Sequence, residues 1–268
     1  MDRADVAYLI NTTPKYFYLL EFHVGLLRRY APTLQWDIWV ATEEPEHPLC
    51  LALLEKGVRI LRLDAADSGF LRSREMALLQ MKELYTYVVP VQEDFILERT
   101  PDVAAITDAL QIMDADPTVK SIRWMPCPGP NTLDEVYRGP WKVLNPKTDA
   151  YMFTFQVCIW RTADLFEWYS RLWSQFLTEY PSSMSDEERR IAEIRANYAE
   201  NRQGQRYFAS WMTSDEKKHL AWTRIHKHPN AVYMSPWPYR PTAVVGGKLE
   251  GWAIELAKRE GFGETLKS

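Results

Sequence analysis

Apolar and polar positions along the first half of the chain switch repeatedly between a period of two and a period near 3.6. Asp5–Thr12 (DVAYLINT) is a short apolar run with the length of a strand. Tyr16–Tyr30 follows with apolar residues at helical spacing and closes on Arg28 and Arg29, where positive charge suits a helix C-terminus. The same alternation predicts strands at Trp36–Thr42, Val58–Leu63, Tyr87–Val91 and Val119–Trp124. Between them it predicts helices at Glu46–Lys56 (ended by Gly57), Ser73–Tyr85 with Ser73 as N-cap, and Asp102–Asp114. Tyr87–Val91 (YVVPV) is apolar almost throughout, as a strand covered on both faces must be. Repeated strand–helix–strand order implies right-handed crossovers and a mostly parallel sheet flanked by helices, an α/β fold.

The regularity stops near Met125. Met125–Pro146 holds five prolines and two glycines and predicts a long loop. Beyond it come an aromatic strand at Tyr151–Trp160, helices at Ala163–Tyr180 and Asp186–Phe208 (the second interrupted at Gly204), short strands at Thr223–Lys227 and Ala231–Met234, and a closing helix at Trp252–Arg259. No repeat or linker forces a second domain. The expectation is therefore one domain over residues 1–268, with halves 1–124 and 125–268 and a largely helical C-terminal part.

Charge narrows the classes. The chain has 32 Lys+Arg against 36 Asp+Glu, a formal net charge of −4, which argues against a nucleic-acid partner held by bulk positive charge. No apolar run reaches the length of a transmembrane segment. The charged start Met1-Asp2-Arg3-Ala4-Asp5 does not read as a signal peptide. Three widely spaced cysteines, Cys50, Cys127 and Cys158, read as reduced thiols, so the expected location is cytoplasmic.

Ligands of open α/β sheets lie outside the carboxyl ends of the strands. Those ends carry Thr12-Thr13, Thr42-Glu43-Glu44, Asp64 and Gln92-Glu93-Asp94. Two adjacent carboxylates at the end of a buried strand need either solvent or a cation. Hard oxygen donors there suit Mg2+ or Mn2+ bound to a diphosphate, because these ions take few protein ligands and fill the rest with phosphate and water.

Leu71–Phe95 (LRSREMALLQMKELYTYVVPVQEDF) resembles the segment of GT-A-fold glycosyltransferases in which an arginine-bearing helix precedes an apolar strand ending in an acidic, metal-binding D-x-D-type motif. Phe155–Thr162 (FQVCIWRT) is similar to the acceptor-side strand of that fold. The layout agrees over roughly residues 5–210, with small soluble viral and bacterial enzymes the most similar. For a viral enzyme the location would be the host cytoplasm. Gln92 stands where the motif has its first Asp, which leaves metal binding mainly to Asp94 and places Glu93 nearer the sugar or ribose.

The resemblance implies a Rossmann-like GT-A domain that moves a sugar from a nucleoside-diphosphate donor, uridine-linked, to a hydroxyl of a glycan or glycoconjugate. The base would lie near Thr12, Thr13 and Asp64. Arg72 or Arg74 would face the diphosphate, where negative charge develops as the glycosidic bond breaks. His226, in the run Thr223–His228 with its imidazoles at i, i+2, would add a late metal contact. Gln156 and the rings of Trp124, Trp141, Tyr151, Trp160 and Trp237 would meet the acceptor. A carboxylate must take the acceptor proton in an inverting enzyme, and Glu200, Asp164 and Glu193 are the choices, with Glu200 preferred. An acid at the Asp164 position also stabilises a helix dipole. The proline-rich run Ser235–Pro241 reads as a flap over the site.

The chain lacks Gly-x-Gly-x-x-Gly, the P-loop and the Gly-x-Ser-x-Gly elbow, which counts against dehydrogenases, P-loop NTPases and α/β-hydrolases. The remaining alternatives are a sugar-nucleotide nucleotidyltransferase and a non-catalytic carbohydrate-binding protein. Asn11–Lys15 has no glycine, against the first of these.

Overall fold

A computed structural model describes residues 5–65, 69–125, 136–147, 149, 151–180, 183–196, 200, 202–214, 216–222, 235–240 and 242–267. His226 and the strands expected at 223–227 and 231–234 lie outside the described residues, as does Cys127.

Nine strands form one sheet: β1 (Val6–Asn11), β2 (Asp37–Thr42), β3 (Arg59–Arg62), β4 (Tyr87–Gln92), β5 (Val119–Arg123), β6 (Val136–Arg138), β7 (Trp141–Val143), β8 (Cys158–Arg161) and β9 (Lys218–Trp222). Their order is β3-β2-β1-β4-β8-β5-β9-β7-β6. β1 to β5 and β9 share one direction, and β8 runs antiparallel between β4 and β5. The helices are α1 (Leu20–Tyr30), α2 (Pro48–Glu55), α3 (Phe70–Met81), α4 (Val103–Ala115), α5 (Thr162–Glu179), α6 (Asp186–Ala196), α7 (Arg202–Ser214) and α8 (Gly251–Glu260). The Rossmann-like, mostly parallel sheet flanked by helices is thus observed, and α5 to α8 supply the helical C-terminal part. A two-stranded ribbon, β10 (Val244–Val245) with β11 (Lys248–Leu249), lies outside the sheet.

Side-chain alternation sorts the core into two layers. Val6, Tyr8 and Ile10 of β1 pack with α1, α2 and α4, whereas Ala7 and Leu9 pack with α3, α5 and α7. β4 divides the same way, with Tyr87, Val89 and Val91 on one side and Val88 on the other. α8 seats Ala253, Leu256 and Ala257 on Phe22 and Leu26, along the outer side of α1. Gly25 allows this approach, since a Cβ there would meet the Phe262 ring at 2.3 Å.

The structure revises several boundaries. α3 begins at Phe70 with Gly69 as N-cap, so Ser73 lies inside the helix. Among the described residues, the Asp186–Phe208 run carries two helices, Asp186–Ala196 and Arg202–Ser214, and Gly204 is buried within the second. Of the Tyr151–Trp160 run only the last three residues are strand, in β8 (Cys158–Arg161). β9 was not predicted from the pattern.

Candidate functional site at the strand ends

The sheet opens where β4 and β8 part. β8 pairs with β4 only at Tyr87 and Val88, and Pro90 has no N–H with which to continue the ladder. Segment 153–156 stands off from the strand instead. The opening is a narrow pocket of about 20 Å³, room for about one water, walled by Asn11, Arg74, Pro90, Gln92, Thr154 and Gln156 among others. It lies at the carboxyl end of the parallel strands.

The acids sit in a tight turn at the end of β4, closed by Phe95 N–H donating to Gln92 O at 3.1 Å. His23 fixes this turn. Its Nδ1 lies 2.9 Å from Glu93 O, which can only accept, so Nδ1 carries the proton; Nε2 then accepts from Tyr8 OH at 2.8 Å. Burial holds the His23 imidazole neutral and pulls its pKa down to about 4.

Glu93 and Asp94 are both buried. Burial pushes the Glu93 carboxyl up to about 8, with Asp94 adding to the rise and Arg74 and a hydrogen bond from Thr12 opposing it. Asp94 is raised by burial too, against hydrogen bonds donated by the Thr242 hydroxyl and, more weakly, by the backbone N–H groups of Val244, Asp94 and Ala243. The second Asp94 oxygen, Oδ1, is buried without a hydrogen-bond partner, and so is Oδ1 of Asn11, whose residue pairs with Gln92 across β1 and β4. Buried oxygens without a partner also occur at Thr162 and Ser170, so what sets Asp94 and Asn11 apart is their position beside Glu93 and Arg74.

Positive charge comes from Arg74, buried on α3. Its guanidinium packs 3.6 Å from the Phe70 ring centroid and donates to Phe70 O at 2.9 Å. Burial lowers its pKa while Tyr169, Glu93, Glu193 and Glu43 raise it. Glu193 is also buried and accepts from the Leu71 N–H, which makes it the cap of the α3 N-terminus rather than a solvated acid. Tyr18, from the 3-10 turn Pro14–Leu19, is close enough to feel both Glu93 and Asp94.

The remaining sequence-predicted residues divide by position. Thr12 is buried beside Glu93, Thr13 is exposed at the head of the 3-10 turn, and Asp64 is exposed beyond the edge strand β3, two strands from β1. Arg72 pairs with Glu75 at 2.6 Å. Gln156 lines the pocket and accepts from Tyr239 OH, which in turn accepts from Val157 N–H at 3.1 Å. Glu200 accepts from Phe155 N–H at 2.8 Å, on the far side of the 153–156 segment.

Three expectations need correction. Asp164 follows β8, and the antiparallel register sets Arg161 opposite Tyr87 at the start of β4. Asp164 therefore lies at the other end of the strands, about six residues or 20 Å of strand from Glu93, and pairs with Lys120 at 3.3 Å. Trp124 is enclosed in the core, stacked on Trp237 at 5.3 Å, and does not line the pocket, whereas Trp160, buried and tilted against His219 at 5.3 Å, does line it. The run from Ser235 is no flap: Pro236 O and Pro238 O accept from Asp102 N–H and Glu98 N–H, and Trp237 and Tyr239 are fully buried.

Sequence reasoning missed Arg123, fully buried at the end of β5 and donating to Tyr151 O at 2.8 Å, and it missed His23. Both are charged or polar residues inside apolar-patterned segments, and their partners lie 28 and 70 positions away.

A bound divalent ion fits this donor set in one respect: Asp94 Oδ1 is a buried hard oxygen awaiting a partner. Among the described residues, no group of three or more His, Cys, Asp or Glu converges on a common point.

No protein-family model matches the chain, and no curated protein is similar to it in sequence. Solved structures are similar at low identity. S. aureus TarS shares 13% identity with a TM-score of 0.47, over 82% of this chain and 35% of that one. The chain thus spans about a third of the TarS chain. The mannosyltransferase PcManGT from Pyrobaculum calidifontis, in complex with GDP-Man and Mn2+, shares 12% over 84% of this chain and 56% of its own, with a TM-score of 0.44. A cytidylyltransferase from Leptospira borgpetersenii serovar Hardjo-bovis shares 13% over 98% and 97%, also at 0.44. Likenesses this distant carry no activity over to the chain.

Proposed function

We propose that the chain is a glycosyltransferase that uses a nucleoside-diphosphate sugar, uridine-linked, and a glycan or glycoconjugate hydroxyl as acceptor. The supporting observation is the pair of unsatisfied buried oxygens, Asp94 Oδ1 and Asn11 Oδ1, at the ends of β4 and β1 beside the buried Arg74. Oxygens in that state favour a ligand that brings a cation or hydroxyl donors, and a nucleotide sugar with its metal brings both.

In this reading Asp94, with Glu93, holds Mg2+ or Mn2+, and phosphate and water complete the shell. The ion would supply charge to the diphosphate. The chain's own groups do the rest. Thr12 and Thr13 border the nucleoside, and Asp64 marks the outer limit of that side. Arg74 offers fixed positive charge in a water-poor pocket, where it counts for more than in solvent as the leaving diphosphate becomes more negative. Gln156, oriented by Tyr239, hydrogen-bonds sugar or acceptor hydroxyls. Glu200 is the carboxylate on the acceptor side and the residue for proton removal in an inverting transfer. Arg72, engaged with Glu75, has no part in it.

The test is product analysis. Nucleotide sugars are incubated with a glycan panel and Mg2+, Mn2+ or a chelator, and nucleoside triphosphates with sugar 1-phosphates are run beside them. Release of nucleoside diphosphate is expected. Release of pyrophosphate would replace this reading with a nucleotidyltransferase, and glycan binding without nucleotide binding would replace it with a lectin-like protein. Asp94→Asn is expected to lower turnover about a hundredfold, the scale of one lost preorganised charge contact. Full turnover and unchanged nucleotide affinity in that variant would remove Asp94 as metal ligand.

A further inference from the structure

A second, wider and more open cavity of about 360 Å³ lies behind the 153–156 segment. Pro146, the buried Asp149, Tyr151 and Met152 form one wall and Arg202, Gln205, Arg206 and Ala209 of α7 the other, with Glu200 at the junction. The α7 residues recur at i, i+3, i+4 and i+7, one face of the helix. Segment 153–156, which separates the two cavities up to Glu200, is tied to α7 and Glu200 by hydrogen bonds. Gln205 Oε1 accepts from Phe153 N–H at 2.9 Å and its amide nitrogen donates to Phe153 O at 2.5 Å, in the manner of a neighbouring strand. Glu200 holds the next amide but one, Phe155 N–H, at 2.8 Å.

The cavity holds two arginines and two acids, and both acids, Glu200 and Asp149, attract the buried Arg123. Arg202 and Arg206 are exposed, one turn apart, and form no ion pair among the described residues. Like charges at i, i+4 repel, and cations in the first turn oppose the helix dipole, so both act against α7. Opposite them Tyr151 keeps 45% of its surface exposed, an accessible ring of the kind that stacks on sugar faces. The carboxylate of Glu200 is turned inward, where it attracts the buried Arg123.

We propose that this cavity is the acceptor subsite, and that it takes a hydroxylated ligand bearing an oxyanion. Tyr151 packs on the ring, Arg202 and Arg206 bind the anionic group, and Glu200 faces the hydroxyl brought to the partition. Anion recognition rests on the cavity alone; its role as acceptor subsite rests on the transferase reading above. Guanidinium groups bind phosphate and carboxylate in the same forked way, so the chemistry on the page is shared by a phosphorylated and an acidic sugar.

Chemical-shift mapping on the 15N-labelled full chain tests this, with glucose, glucose 6-phosphate, glucuronate and UDP as probes. The phosphate and the acidic sugar are expected to move the resonances of Tyr151, Gln205 and Ala209, glucose to move them far less, and whichever charged sugar binds more tightly names the anion. Arg202→Ala with Arg206→Ala is expected to weaken that binding about tenfold or more while UDP binding stays unchanged. The double variant should melt no lower than the parent, because it removes a repulsion; a retained melting temperature separates lost binding from lost folding. Equal shifts with glucose and its charged analogues, or unchanged affinity in the double variant, would overturn the proposal. Charged-sugar binding without any UDP binding would leave the anion site standing and remove the transferase reading instead.

Discussion

Glu93 shows most directly how the site opposes stability. Its carboxyl titrates near pH 8 in the folded chain and near 4.5 when exposed. Between those values the folded state keeps a proton that the unfolded state has released, so stability falls as pH rises through that window, by about 1.4 kcal/mol per pKa unit. Glu93→Gln removes this dependence. Melting temperatures of the ligand-free variant should exceed those of the parent at pH 8 and approach them at pH 5; an equal gain at both would mean that packing, not charge, is responsible. Arg74→Met should do the reverse. It strands Glu93, Glu193 and Glu43 without their cation and should cost about 3 kcal/mol at pH 8, measured by urea unfolding. Adding Glu93→Gln should recover part of that loss. The Glu93-Asp94 pair was legible because an apolar strand runs straight into it. Arg123 was not, because a lone arginine in VKSIRW reads as outward-facing until Tyr151, Glu200 and Asp149 are brought around it.

At the level of elements, local patterning located most strands and helices of the first half and failed wherever a distant side chain completes the backbone. α3 starts three residues before Ser73, because the carboxylate that caps it belongs to Glu193, 122 positions away. Glu193→Ala should cost about 1–2 kcal/mol and speed amide exchange selectively at the first turn of α3. A uniform increase along the helix would deny the capping role. Segment 151–157 has the composition of a strand, but its hydrogen bonds go to Gln205, Glu200 and Thr154 instead of to β4. Gln205→Ala would orphan both polar groups of Phe153 and should destabilise by about 2–4 kcal/mol, read from denaturant midpoints. β9 (KHLAW) is too short and mixed to announce itself, and its place is set by parallel pairing with β5.

For the molecule as a whole, Glu93 and His23 set opposing pH limits. His23 is neutral in the fold down to about pH 4, whereas the unfolded chain protonates near 6.5. Stability is therefore lost as pH falls through that interval. From pH 4.5 to 6.5 the two effects offset, and above 6.5 only the Glu93 loss remains. Unfolding free energy of the ligand-free protein should vary little across the first range and decline from pH 6.5 to 8. A steady rise to pH 8 would contradict the buried state of Glu93. The sheet sets a further condition, since β8 joins β4 to β5 from the second half of the chain. A fragment ending at Trp124 should accordingly show no cooperative thermal transition.

That placement of β8 also bears on how the protein is made. A ribosome adding about 5–20 residues per second finishes β5 some 2–8 s before it reaches Arg161. During that interval the nascent chain carries two bare, apolar strand edges with no partner between them, the kind of surface that invites pairing with another copy. Translation speed across residues 124–161, and whatever shields those edges, would then decide how much of the newly made chain reaches the closed sheet.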